Sequence, residues 1–123
     1  MQEIEVTQLL EPQVTTAAGV TGGYVSVSGI VNVGTRAAKF VLVGGTGTTA
    51  GTISGSIQSA ADTAGTGLAT VATFTGLTSA GGVEEKHGVI PAAHAYVRFL
   101  GDVQAGKDMI VGAYMIAQAR VSP

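Results

Sequence analysis

Two histidines with acidic neighbours are where this chain could first hold a reactive centre. Glu84, Glu85, His87 and His94 are the one candidate metal cluster, and an extended segment would place Glu85 and His87 on the same face. A metal site needs three or four converging ligands. Gly88 and Pro91 interrupt this segment, and with no cysteine in the chain only oxygen and imidazole donors are on offer. The expectation is a solvated loop with one histidine at a strand start, and no metal.

Gly45-Thr46-Gly47-Thr48-Thr49-Ala50 fits the dinucleotide fingerprint G-x-G-x-x-G/A and follows an apolar run. That fingerprint works only when the loop opens a helix whose first amides hold a pyrophosphate. The following Gly51-Thr52-Ile53-Ser54-Gly55 alternates like a strand, so a flexible hairpin loop is expected. Asp102 to Asp108 superficially suggests calcium, yet the alternating oxygen ligands and terminal glutamate of an EF-hand loop are missing. A hairpin joining the last two strands is the expectation there. No serine sits in a G-x-S-x-G elbow, and Glu84, Glu85, Asp102 and Asp108 fall in expected loops rather than in a buried carboxylate pair. Catalysis and cofactors are therefore not expected.

The elements that carry these residues read as strands. Glycine, threonine and β-branched residues recur every few positions, and no 3.6-residue apolar stripe persists. Strands are expected over 3–9, 23–33, 38–43, 52–58, 69–75, 94–100 and 109–120, with turn-forming stretches over 44–51, 62–67, 79–91 and 101–107. The fold class that follows is all-β: a single-domain antiparallel β-sandwich of seven or eight strands. With three Phe, three Tyr and no Trp in 123 residues, its core must be aliphatic and thin, which suits two sheets about 10 Å apart. The Gly19–Gly23 run sets off residues 1–18, an N-terminal arm or edge strand, from the sandwich domain at 19–123.

Face assignment follows from the two-residue repeat. Ile53, Gly55 and Ile57 oppose Thr52, Ser54, Ser56 and Gln58, which makes one dry and one wet face. In the 94–100 strand, Ala95, Val97 and Phe99 oppose His94, Tyr96, Arg98 and Leu100. The 109–120 strand is apolar on both sides: Met109, Val111, Ala113, Met115 and Ala117 on one, Ile110, Gly112, Tyr114 and Ile116 on the other. In a two-layer fold, its second side is expected to be an interface.

Charge points the same way. Only 11% of residues are Asp, Glu, Lys or Arg, against roughly a quarter in ordinary soluble domains, so much of the surface is expected to be covered by other protein. A formal net charge of −2 offers nothing broad to a phosphate backbone, so no direct nucleic-acid partner is expected. The longest apolar stretch, 109–117, is far short of a spanning helix, so no membrane partner is expected either. The acidic start lacks a signal-peptide pattern, which leads to the expectation of a soluble, complete chain made inside a cell.

The C-terminal third resembles a known family. His94-Ala-Tyr-Val-Arg-Phe-Leu-Gly-Asp-Val, a short turn and Met109-Ile-Val-Gly-Ala-Tyr-Met-Ile look like the closing hairpin of tailed-phage capsid cement or decoration proteins, of the Bordetella-phage cement type. Gly51-Thr-Ile-Ser-Gly-Ser-Ile-Gln-Ser-Ala-Ala-Asp, with Phe74 in the next strand, is similar to their middle region. The resemblance spans about residues 38 to 120. It implies a jelly-roll-like sandwich binding the outside of an icosahedral head as a homo-oligomer, dimer or trimer. Its partner would be the major capsid protein, its location the virion surface after assembly in the host cytoplasm. The expected interface residues are Ile4, Val6, Leu9 and Leu10 in the arm, and Tyr96, Arg98, Ile110, Tyr114 and Ile116 on the closing hairpin, with Arg98 as anchor. The alternatives are a carbohydrate-binding or adhesin-like β-sandwich module, which six aromatics in all equip poorly, and a small enzyme using His87 and His94.

Overall fold

The computed structural model describes residues 2–15, 20–27, 37–49, 51–77, 82–103 and 108–120, all strand or connection with no helix among them. The strands are β1 (Gln2–Thr15), β2 (Val20–Thr21), β3 (Val25–Ser26), β4 (Ala37–Thr49), β5 (Ile53–Ala60), β6 (Ala69–Leu77), β7 (Gly82–Val89), β8 (Tyr96–Val103) and β9 (Asp108–Arg120). Two antiparallel sheets form, one ordered β1-β9-β4-β7 and the other β2-β8-β5-β6, with β3 also paired to β8. β2 and β3 are halves of one interrupted edge strand, because the Gly22 amide between them donates to the Phe99 carbonyl at 2.9 Å and keeps the ladder running. Counted so, eight strands make a sandwich of two four-stranded sheets.

The pairing order explains the shape. First pairs with last (β1 with β9), second with next to last (β2 and β3 with β8), then β4 with β7, and β5 with β6. That is one long hairpin rolled up until β9 also meets β4 and β8 also meets β5, the jelly-roll arrangement of antiparallel strands in two sheets. Alternation then fills the space between the sheets. Phe40, Leu42, Met109, Val111, Ala113 and Met115 face Ile53, Ile57, Phe74, Val97, Phe99 and Val103 across one buried cluster.

Three expectations are corrected by this topology. The last two strands are not a hairpin: β8 and β9 lie in different sheets, 101–103 continue β8, and 104–107 lie outside the described residues. The 44–51 turn is mostly strand, since β4 continues to Thr49 with Thr46 opposite Met109 and Thr49 opposite Asp108. The 79–91 loop contains β7, an edge strand laddered to β4 from Ala37–Val89 to Gly44–Gly82. The 23–33 strand is described only to residue 27, beyond which it lies outside the described residues.

The 1–18 segment lies along its own sheet through residue 15 as β1, paired with β9. Register shifts between Gln8 and Leu10 and between Leu10 and Gln13 let two successive leucines, Leu9 and Leu10, turn inward. The second shift contains Pro12, which lacks an amide and is tolerated at an edge-strand irregularity.

The two sheets are tied at the β6–β7 corner. The Glu84 carboxylate accepts the Thr75 amide at 2.6 Å and the Gly76 amide at 2.8 Å, capping the edge of one sheet with a side chain from the other. Burial pushes the Glu84 carboxyl up, but those two amides and the Lys86 ammonium outweigh it and hold it below the ordinary range. Gly88 lets β7 pass close over β6, since a Cβ there would sit 2.7 Å from both the Val71 carbonyl oxygen and its Cγ1.

Candidate interaction faces

Because β9 and β4 are central in their sheet, their outward residues form a continuous exterior band. Antiparallel register places Val6 beside Ile116, then Lys39 and His87 in one row. The next row holds Gln8, Tyr114, Val41 and Glu85. Gly112, Val43 and Val83 follow, and Ile110 lies beside Gly45. Val6 and Val83 are 63% and 61% exposed and Ile110 40%, while Tyr114, Ile116, Val41 and Val43 are half-buried by one another. Lys39, Glu85 and His87 are the acidic and basic side chains that these rows hold beside the Tyr114 phenol. The first two pair at 3.5 Å across the β4–β7 seam.

The opposite exterior, on β8, β5 and β6, is chemically different. Thr21, Leu100, Ser56 and Thr73 line up across the sheet, flanked by Arg98 beside Gln58 and Asp102 beside Ser54. The Arg98 Nε and Nη2 donate to the Gln58 Oε1 at 3.1 and 3.0 Å, and the guanidinium stacks 4.9 Å over the Tyr24 ring. An open groove of about 550 Å³ runs over Ser54, Ser56, Thr73, Leu100 and Asp102.

The expected interface residues are thus divided. Val6, Ile110, Tyr114 and Ile116 share the apolar face, whereas Tyr96 and Arg98 stand on the other side of the sandwich. Leu9 and Leu10 are core residues, 4% and 6% exposed, and cannot reach a partner without opening the fold. Ile4 sits in β1 opposite Gln118, with its side chain outside the described residues.

The remaining candidates are dispersed. His87 rides on β7 and His94 precedes β8, and no group of three or more metal-ligating side chains occurs among the described residues. Gly45 to Thr49 belongs to a strand, so no helix N-terminus awaits a phosphate. One contact that no local pattern signals joins the Ser59 Oγ to the His94 Nδ1 at 2.7 Å. A bulge between Ile57 and Gln58 in the β5–β6 pairing accompanies two successive buried residues, Ser59 and Ala60. Ser59 has no exposed surface while His94 is half-buried, and their bond ties β5 to the β7–β8 connection. At the β5–β6 turn, the Thr66 hydroxyl and amide and the Ala64 amide donate to Asp62, and these bonds, led by the hydroxyl, hold its carboxyl below the usual range.

Topology and faces together define a jelly-roll β-sandwich with one dry and one hydroxyl-rich exterior. No family model and no curated protein matches the chain. Among solved structures it is similar to VP2 of infectious bursal disease virus in a subviral particle, at 17% identity and a TM-score of 0.59, over 97% of this chain and 33% of that one. It thus spans about a third of the VP2 length. It is also similar to the SPBc2 prophage-derived protein YomS (10% identity, 95% and 96% covered, TM-score 0.49) and to the N-terminal cellulose-binding domain of Cellulomonas fimi β-1,4-glucanase C (13%, 95% and 81%, 0.48). At these identities the likeness is one of fold.

Proposed function

We propose that the chain is a structural virion protein, a cement or decoration protein that seats on the outer surface of a phage head through its β1-β9-β4-β7 exterior. The observation that carries this reading is the uncovered band of Tyr114, Ile116, Val41, Val43, Val83 and Ile110 on that face. Apolar area of this kind gains roughly 25 cal/mol per Å² when removed from water, and contiguous apolar patches mark interaction sites. A chain with 11% charged residues offers little repulsion to such contact. The partner is the major capsid protein, and the bound form is a dimer or trimer. A ligand that binds the assembled lattice better than free subunits stabilises the lattice by its differential affinity, and many copies multiply a modest contact. The fold, shared with the VP2 chain of a subviral particle, supports the reading. The protein then acts at the virion surface after assembly in the host cytoplasm, without catalysis, cofactor, nucleic acid or membrane.

Mass spectrometry of particles produced from the encoding genome tests this directly. The chain is expected in fixed ratio to the coat protein, and its absence from washed, intact particles would overturn the reading.

A further inference from the structure

We propose that the groove over β8, β5 and β6 is a binding site for a neutral oligosaccharide. Its volume of about 550 Å³ lies within the ~300–1,000 Å³ typical of small-molecule sites. The groove crosses central strands: β5 is paired on both sides by β8 and β6, and β8 by β5 and the β2–β3 edge. Their backbone amides and carbonyls are engaged in ladders. An extended peptide that recognises by adding a strand needs a free edge, which β5 and β8 lack and which β6, the last strand of its sheet, offers only at the groove's margin, so a ligand lying over β5 and β8 must be read by side chains.

Those side chains are chiefly hydroxyls. Ser54, Ser56 and Thr73 each donate and accept, which suits a ligand that presents hydroxyls of both roles. Arg98, Leu100 and Asp102 follow on one face of β8, about 7 Å apart by strand geometry. They set a donor, an apolar spot and an acceptor in a line, matching a sugar ring whose C–H face is apolar and whose rim is polar. Asp102 is exposed and its carboxylate has no partner among the described residues. Arg98 is held by Gln58 and Tyr24, so its guanidinium is fixed before any ligand arrives, which lowers the ordering cost of binding.

Charge sets the ligand class. One cation and one anion flank Leu100, so the groove carries no net charge that would select an acidic or a basic sugar. What remains to be read is the hydroxyl pattern of an uncharged chain. With Leu100 instead of an exposed aromatic ring beneath the sugar, the site has modest affinity.

The test is titration of the 15N-labelled full chain with gluco-, xylo-, manno- and galacto-configured pentasaccharides at millimolar concentration. At least one is expected to shift the amides of Ser54, Ser56, Thr73, Leu100 and Asp102 while those of Val41, Val43 and Tyr114 stay still. Asp102→Ala should weaken binding about tenfold, the value of a hydrogen bond to a charged group. Leu100→Tyr should tighten it by adding a stacking surface, and dispersed spectra show that both variants are folded. No shift with any of the four sugars, shifts confined to the opposite face, or unchanged affinity in both variants would overturn the proposal. Failure here leaves the shell-binding reading untouched, since that rests on the other face.

Discussion

The two exteriors of the sandwich are built on the same strand geometry from opposite chemistry. Outward positions of β9 and β4 are Ile110, Gly112, Tyr114, Ile116, Val41 and Val43, with Lys39 at one margin. Outward positions of β8 and β5 are Tyr96, Arg98, Leu100, Asp102, Ser54, Ser56 and Gln58. Both inner faces are equally dry, so the core does not explain the difference. Solubility of the free domain would be served by polar residues across both outsides, and on the β9–β4 side they stand at the margins while the centre is apolar. The contrast lies in the uncharged positions, since each face carries a cation and an anion, Lys39 with Glu85 on one and Arg98 with Asp102 on the other, while the remaining outward residues are aliphatic or aromatic on the first and largely hydroxyl or amide on the second.

The sharpest way to break this comparison is to put a charge in the centre of the dry face. Tyr114→Asp is expected to reduce binding to coat-protein shells by roughly a hundredfold or more, the scale of a central interface residue. A half-buried outward position should leave the melting temperature within a few degrees. The matching substitution on the other side, Ser56→Asp, should leave shell binding unchanged. Co-sedimentation with shells lacking the protein measures both, and equal losses would show that the two faces do not differ in role.

The comparison was only partly legible in the sequence. Alternation in β5 and β8 and the double apolarity of β9 are local patterns, and the structure keeps those face assignments within the strands, whereas His94 and Ala95 precede β8 and His94 turns to the buried Ser59. Which sheet each strand joins is not a local property. Arg98 and Tyr114 are separated by a short connection that reads equally well as a hairpin or a crossover, and the crossover moves them to opposite sides. β7 was hidden for another reason: Glu84, Lys86 and Gly88 alternate with Val83, Glu85 and His87, so neither face is uniformly apolar. Pairing with β4 and the cap that Glu84 places on β6 hold it as a strand. Leu9 and Leu10 look like one inward and one outward residue, and only the register shift in β1 turns both inside.

A comparison of faces requires one rigid slab, and the corner that joins the sheets is where rigidity can be loosened. Gly88→Ala would drive a methyl into the Val71 backbone and is expected to cost about 1–3 kcal/mol, as overpacking does, measured by chemical denaturation. Glu84→Gln retains one acceptor but loses the charge, and should cost about 1 kcal/mol at neutral pH. Because the folded carboxyl lies below its ordinary value, its contribution is full above the unfolded pKa and fades as pH falls through the folded one. Wild type and Glu84→Gln should therefore converge in stability at acid pH. A gap that persists there would assign the corner's strength to shape instead of charge.

The smallest effect belongs to Lys39 and Glu85, the ion pair at the margin of the dry face. Their side chains are 36% and 53% exposed and 3.5 Å apart, and a pair in that setting contributes about 0.5 kcal/mol or less to folding. Removing both as Lys39→Met and Glu85→Gln should therefore leave the free domain nearly as stable, and the denaturation midpoint checks this. Shell binding gives the pair a second readout, because a rim charge acts on association rate and salt dependence more than on final affinity. If the dry face docks, the double variant should bind with a changed on-rate and a flatter response to salt. A variant whose rate and salt response match wild type would place the pair outside the contact and shift the docking footprint toward Val6 and Ile110.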